Sequence, residues 1–102
     1  MAVSDSELRE IALSLDGVTE KPHFDRAAFK VKRNFATLAP DKATVNLLLL
    51  PEEQELRCEM HPDCFVPVPN KWGERGWTVM DLTKVDMDIA KSAMHAAWLN
   101  GK

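Results

Sequence analysis

At 102 residues the chain is long enough for one hydrophobic core and too short for two. A composition of 45 % hydrophobic and 28 % charged residues, with four Gly and six Pro, excludes a disordered, collagen-like or low-complexity protein. Thirteen Lys and Arg against sixteen Asp and Glu leave a formal net charge of −3, which argues against a protein that binds nucleic acid over its whole surface.

The charges are segregated along the chain. Residues 1–20 carry one base and five acids (−4), residues 21–42 six bases and two acids (+4), and residues 43–63 one base and five acids (−4). Such polarity can orient a domain toward an anion. The longest apolar stretch, Leu47 to Leu50, is far short of the roughly 18 to 20 residues that span a bilayer. The acidic start Ser4-Asp5-Ser6-Glu7 lacks the basic and apolar regions of a signal peptide. A single domain over residues 1–102, cytoplasmic and without a membrane partner, is expected.

Taken in chain order, Ser4 with Glu7 three residues on forms a capping box, and Leu8, Ile11, Ala12 and Leu15 follow at helical spacing until Gly17. This predicts a helix over about residues 5–15. Pro22 breaks any helix, and Ala27 to Val31 reads as a half-buried strand with Phe29 and Val31 on one face and Lys30 on the other. Lys32-Arg33-Asn34 reads as a tight turn, Asn34 being best suited to positive φ, with Phe35 to Leu38 as the returning strand. After a turn at Pro40-Asp41-Lys42, Thr44 to Leu50 is a central strand with Val45, Leu47 and Leu49 sharing a face.

Pro51 at a first helical position, followed by Glu52 and Glu53, opens a helix that runs to about Met60 and ends at His61-Pro62. Val66-Pro67-Val68-Pro69-Asn70 is too proline-rich for a central strand and is expected as an extended loop. Gly76 to Leu82 alternates as a strand. Asp86 caps a last helix with an apolar stripe of Ile89, Ala90, Ala93, Met94, Ala97 and Trp98, ended by Asn100-Gly101. The order α-β-β-β-α-β-α implies an α+β two-layer sandwich, an antiparallel sheet with helices packed on one face.

Several chemistries find no support. There is no glycine-rich phosphate loop and no nucleophile elbow, so neither a nucleotide cofactor nor a small-molecule substrate is implied. Cys58 and Cys64, with His61 between them, lack the second ligand pair that structural zinc requires and an orienting third group for nucleophilic catalysis. Both are expected as reduced thiols, and Asp5, Glu7 and Glu10 do not share a helix face at ligand spacing. The expectation is a non-enzymatic domain without metal or cofactor. The constellation that can carry function is the basic turn of Lys30, Lys32 and Arg33 together with Lys71, Trp72 and Arg75, since cations reach phosphates and aromatic planes stack on bases. The structural alternative is that turns are where soluble proteins put Lys and Arg, with Trp77 in the core and Trp72 covering a loop.

The blocks Pro22-His23-Phe24-Asp25-Arg26-Ala27-Ala28-Phe29-Lys30-Val31, Phe35-Ala36-Thr37-Leu38 and Lys71-Trp72-Gly73-Glu74-Arg75-Gly76-Trp77-Thr78-Val79-Met80-Asp81-Leu82, with Ala97-Trp98 near the end, resemble the MmcQ/YjbR family of small bacterial proteins. The resemblance runs from about Glu7 to Leu99. It implies a CyaY-like (frataxin-like) fold and duplex-DNA binding through two projecting loops, the turn around Lys32 and Arg33 and the segment from Asn70 to Gly76. Asp25 and Lys32-Arg33 stand where the family often carries glycine. A protein-interaction or adaptor domain, anchored by the Trp72 loop or an exposed sheet surface, is the alternative from a different class.

Overall fold

A computed structural model describes residues 2–102. The helix α1 covers Asp5–Ser14, with Ser4 Oγ accepting from Glu7 N and Glu7 Oε1 accepting from Ser4 N, so the capping box forms as expected. Four strands follow, β1 (Thr19–His23), β2 (Arg26–Lys30), β3 (Asn34–Leu38) and β4 (Thr44–Leu48), then α2 (Pro51–Met60), β5 (Phe65–Pro67), a four-residue α3 (Lys71–Glu74), β6 (Trp77–Asp81) and α4 (Met87–Gly101). The six strands form one antiparallel sheet in the order β1-β2-β3-β4-β6-β5.

The sequence expectation counted four of these six strands. It missed β1 because Thr19–His23 has no apolar alternation; all five residues are exposed, as an edge strand beside a two-residue turn permits. It read Val66-Pro67 as loop, whereas Phe65–Pro67 pairs with β6 as the opposite edge, where proline is tolerated because one side of the strand has no partner. The Lys32–Asn34 turn also differs. Positive φ falls on Phe24 and Lys42 and not on Asn34, which begins β3 and pairs with Lys30 across a bulge between Phe29 and Lys30.

Register fixes which residues share a face. Phe29, Ala36, Leu47 and Thr78 form one cross-strand row, and Ala27, Leu38, Val45, Met80 and Phe65 the next. These rows meet Leu8, Ile11 and Ala12 of α1 and Ala90, Ala93, Met94 and Ala97 of α4 in a single core. Each fully buried Phe, Leu or Met there contributes about 1.5 to 3 kcal/mol by leaving water. The expected α+β two-layer sandwich, helices on one face, is the fold observed.

The other face of the sheet carries Ala28, Thr37, Asn46, Val79 and Val66 in one row and Leu48 opposite Trp77 in the next. Ala28 and Thr37 are buried, Asn46, Leu48, Trp77 and Val79 half-buried and Val66 exposed, and among the described residues α1 and α4 pack on the opposite face. Trp77 therefore lies on the open face and not in the helix-covered core, because alternation along β6 sends Thr78 and Met80 inward instead.

Candidate functional site

The β2–β3 turn is tied to the end of α4. Arg33 N donates to Gly101 O at 3.1 Å, and the Arg33 guanidinium donates to Asn100 O through Nε (3.1 Å) and Nη2 (2.7 Å). A cation on the last carbonyls of a helix offsets the negative end of its dipole. Asn100 in turn donates Nδ2 to Leu48 O (3.0 Å) and to Glu53 Oε1 (2.8 Å), joining α4 to the end of β4 and the start of α2. Arg33 thus has a structural duty that sequence reasoning did not foresee, since its partner lies 67 positions away.

The segment Lys71–Trp77 is a packed helical turn and not an extended projection. Asn70 Oδ1 accepts from Trp72 N at 2.8 Å, the N-cap that starts α3. Gln54 of α2 donates Nε2 to Gly73 O (2.9 Å) and to Trp77 O (3.0 Å), clamping both ends of the turn. Both of its glycines are imposed by close backbone approach: a Cβ at Gly73 would stand 1.8 Å from Val68 O, and one at Gly76, where φ is +110°, 1.9 Å from Leu49 O. Trp72 stays 55 % exposed with Arg75 over its ring, Cζ 5.3 Å from the centroid.

These two elements meet at the open face. A cavity of about 600 Å³ lies over the sheet, with Thr37, Asn46 and Trp77 among its lining, Phe24 of the β1–β2 turn and Arg26 at the start of β2 on one side and Trp72 on the other. A second, of about 410 Å³, is lined by Arg33, Arg75 and Leu48 among others. The two share Arg33, Asn34, Trp72 and Trp77 and are therefore contiguous. Of the sequence candidates, Arg33, Trp72 and Arg75 line this groove. Lys30, Lys32 and Lys71 are exposed outside it, Lys30 paired across from Asn34.

Among the described residues the ion pairs are Arg9–Glu20 (3.4 Å) and Lys42–Asp5 (3.9 Å), so none of the five basic candidates is neutralised by a contacting carboxylate. Asp25 lines the larger cavity, and Glu53 near the smaller one is held by Leu50 N and Asn100. A cavity of about 660 Å³ beside β1 adjoins the larger one through Phe24, Asp25 and Arg26; it sets four cations, Arg9, Lys21, Arg26 and Lys42, against Glu20 and Asp25, with Arg9 paired to Glu20.

Sequence reasoning missed Phe24, Arg26, Asn34 and Asn46 as groove residues. Arg26 is half-buried and donates to Thr37 Oγ1 (3.0 Å) and Thr37 O (2.8 Å); burial lowers its pKa while Asp25 and Asp41 oppose that shift. The available signal was Phe24-Asp25 between the polar run Thr19–His23 and the strand that follows, a hairpin turn with an aromatic at its tip.

The thiols lie elsewhere. Cys58 and Cys64 are free and half-buried, and no group of three or more His, Cys, Asp or Glu among the described residues is placed to hold a metal ion. Burial raises the pKa of both, and for Cys64 the carboxylates of Asp63, Asp81 and Asp86 raise it further against Lys84. Since the folded pKa is raised, the stabilisation from the neutral thiol is full below the ordinary thiol pKa and is lost as pH rises through the folded value. Iodoacetamide labelling followed by mass spectrometry should run slower than for free cysteine at pH 8 and climb only at higher pH; faster labelling at neutral pH would contradict this environment.

The fold and groove together define a small α+β sandwich with a groove on the sheet face opposite its two long helices α1 and α4. The chain belongs to the YjbR family, whose model matches residues 13–100. Its fold is shared by the Deinococcus radiodurans protein DR2400, a crystal structure with a DUF419 domain, at a TM-score of 0.81 and 22 % sequence identity over 97 % of this chain and 78 % of that one. No curated protein matches the chain. No helix among the described residues is long and apolar enough to cross a membrane.

Proposed function

We propose that this protein is a non-enzymatic, cytoplasmic DNA-binding domain whose basic rim contacts backbone phosphates. The observation that carries this reading is that Arg33 and Arg75, 42 positions apart in sequence, line one groove with Trp72 between the two cavities, while Lys30, Lys32 and Lys71 stand exposed and unpaired with carboxylates. Acidic α1 packs on the helical side, away from the open face, which keeps its repulsion from a polyanion small. Burial raises the pKa of Cys58 and Cys64, which disfavours either thiol as a nucleophile.

A salt titration of labelled-duplex binding tests the reading. With about four cations on phosphates, log K should fall against log salt with a slope of about −3 to −4. The double substitution Lys71→Glu with Arg75→Glu should remove low-salt binding while circular dichroism stays unchanged. Arg33 is a poorer choice because its loss also frees the end of α4. Unchanged affinity in the double variant would reject the assignment. A protein-interaction role is favoured by one observation, Phe24 at 92 % exposure near Trp72 across the same cavity, and it predicts binding that salt does not weaken.

A further inference from the structure

The open-face cavity holds groups that phosphate binding does not use. Asn34 and Asn46 are half-buried on the sheet, line the cavity, and make no side-chain hydrogen bond among the described residues. Neither amide has an atom that is both buried and unpaired, so their donors and acceptors are open to the cavity and not stranded in the core. Asn70 adds a third amide, its Oδ1 occupied by Trp72 N. Aromatic surface stands on either side: Trp72 and Trp77 at one, and Phe24 at the other.

Phe24 is the more telling of these. Its φ is +57°, a conformation that costs an L-residue steric strain and is ordinarily given to Gly or Asn. A side chain 92 % exposed gains almost no burial in return, and its one ring contact is edge-on to His23 at 4.8 Å. A strained and exposed aromatic at the mouth of a cavity suits a partner that stacks on it.

Building on the phosphate-binding reading above, we infer that the open-face cavity takes an unpaired nucleotide of single-stranded DNA, its base between the aromatic side chains and its hydrogen-bonding edge on Asn34 and Asn46. The amides supply both donors and acceptors for a base edge, the aromatics a stacking surface, and Arg33 and Arg75 the adjoining cations for the flanking phosphates. The volume, about 600 Å³, lies within the range of roughly 300 to 1,000 Å³ typical of small-molecule sites. A paired base inside a duplex presents neither its stacking face nor its full edge, so the cavity discriminates in favour of single strands.

The test compares three fluorescein-labelled probes by anisotropy: a short single strand, the same strand with abasic positions, and its blunt duplex. The single strand is expected to bind about tenfold or more tightly than the abasic strand and the duplex, with quenching of tryptophan emission that Trp72→Ala reduces. Phe24→Gly should leave the thermal midpoint unchanged or raise it while weakening only the base-dependent part. Asn46→Ala should do the same to binding without disturbing the core. Equal salt-sensitive affinity for all three probes would overturn the nucleotide site and leave phosphate binding standing. No binding of any probe at low salt would overturn both, and a salt-insensitive protein partner on this face would likewise displace the nucleotide.

Discussion

Gly76→Ala is expected to destabilise the fold by roughly 3 to 5 kcal/mol, because the new Cβ would stand 1.9 Å from Leu49 O, a backbone atom that cannot turn aside, at a φ of +110°. The damage would fall on the site as well. Leu49 N donates to Gly76 O at 3.3 Å, Thr78 Oγ1 donates to the same carbonyl at 2.8 Å, and Gln54 holds the neighbouring Trp77 O, so moving residue 76 shifts Trp77 and α3 together. Gly17→Ala is the internal control. It shares positive φ (+76°), yet its nearest neighbour would be Val31 Cγ2 at 3.6 Å, an ordinary contact, so only conformational strain of about 1 to 2 kcal/mol is expected. Urea denaturation of both variants measures the difference; equal losses would show that the close approach at Gly76 has no energetic weight.

Asn100→Asp should cost about 2 to 4 kcal/mol at pH 7 although it changes one atom type. The variant loses both Nδ2 hydrogen bonds and sets a carboxylate against Leu48 O and Glu53 Oε1, groups now 3.0 and 2.8 Å from the amide nitrogen. Part of the repulsion is offset by the Arg33 guanidinium, already held on Asn100 O. Two carboxylates so close share a proton, so the pair's folded pKa is raised above the ordinary carboxylate value. A raised folded pKa gives stability at low pH that is lost as pH rises, so the penalty should shrink when melting is measured at pH 5 instead of 7. A penalty equal at both values would mean that the amide's contact with Glu53 does not matter.

Where local rules suffice, the sequence was readable. The α1 capping box, Pro51 at the start of α2, Asp86 accepting from Ile89 N, and the alternation of β4 and β6 each depend on residues a few positions apart. Edge strands were not readable in the same way. Thr19–His23 becomes a strand by pairing with β2, and Phe65–Pro67 by pairing with β6, and neither has an inward face large enough to leave an apolar period. The sequence placed Arg33, Trp72 and Arg75 among the site candidates on charge and aromaticity alone. It had no means of placing Phe24, Asn34 and Asn46 beside them, since that depends on the register of four strands.

The amino-acid sequence by itself determined α1, α2 and α4, the central strands, the α+β class and the family, because periodicity, caps and block order are short-range properties of the chain, whereas the single turn α3 was read as a loop. Tertiary structure alone decided that the basic turn and α3 share one groove and that Arg33 is partly spent on α4. It also decided that the glycines of Lys71–Trp77 answer to backbone carbonyls at Val68 and Leu49. The reason is that a binding surface is assembled from long-range contacts, whose partners are selected by how the whole core packs and not by the residues next to them in sequence.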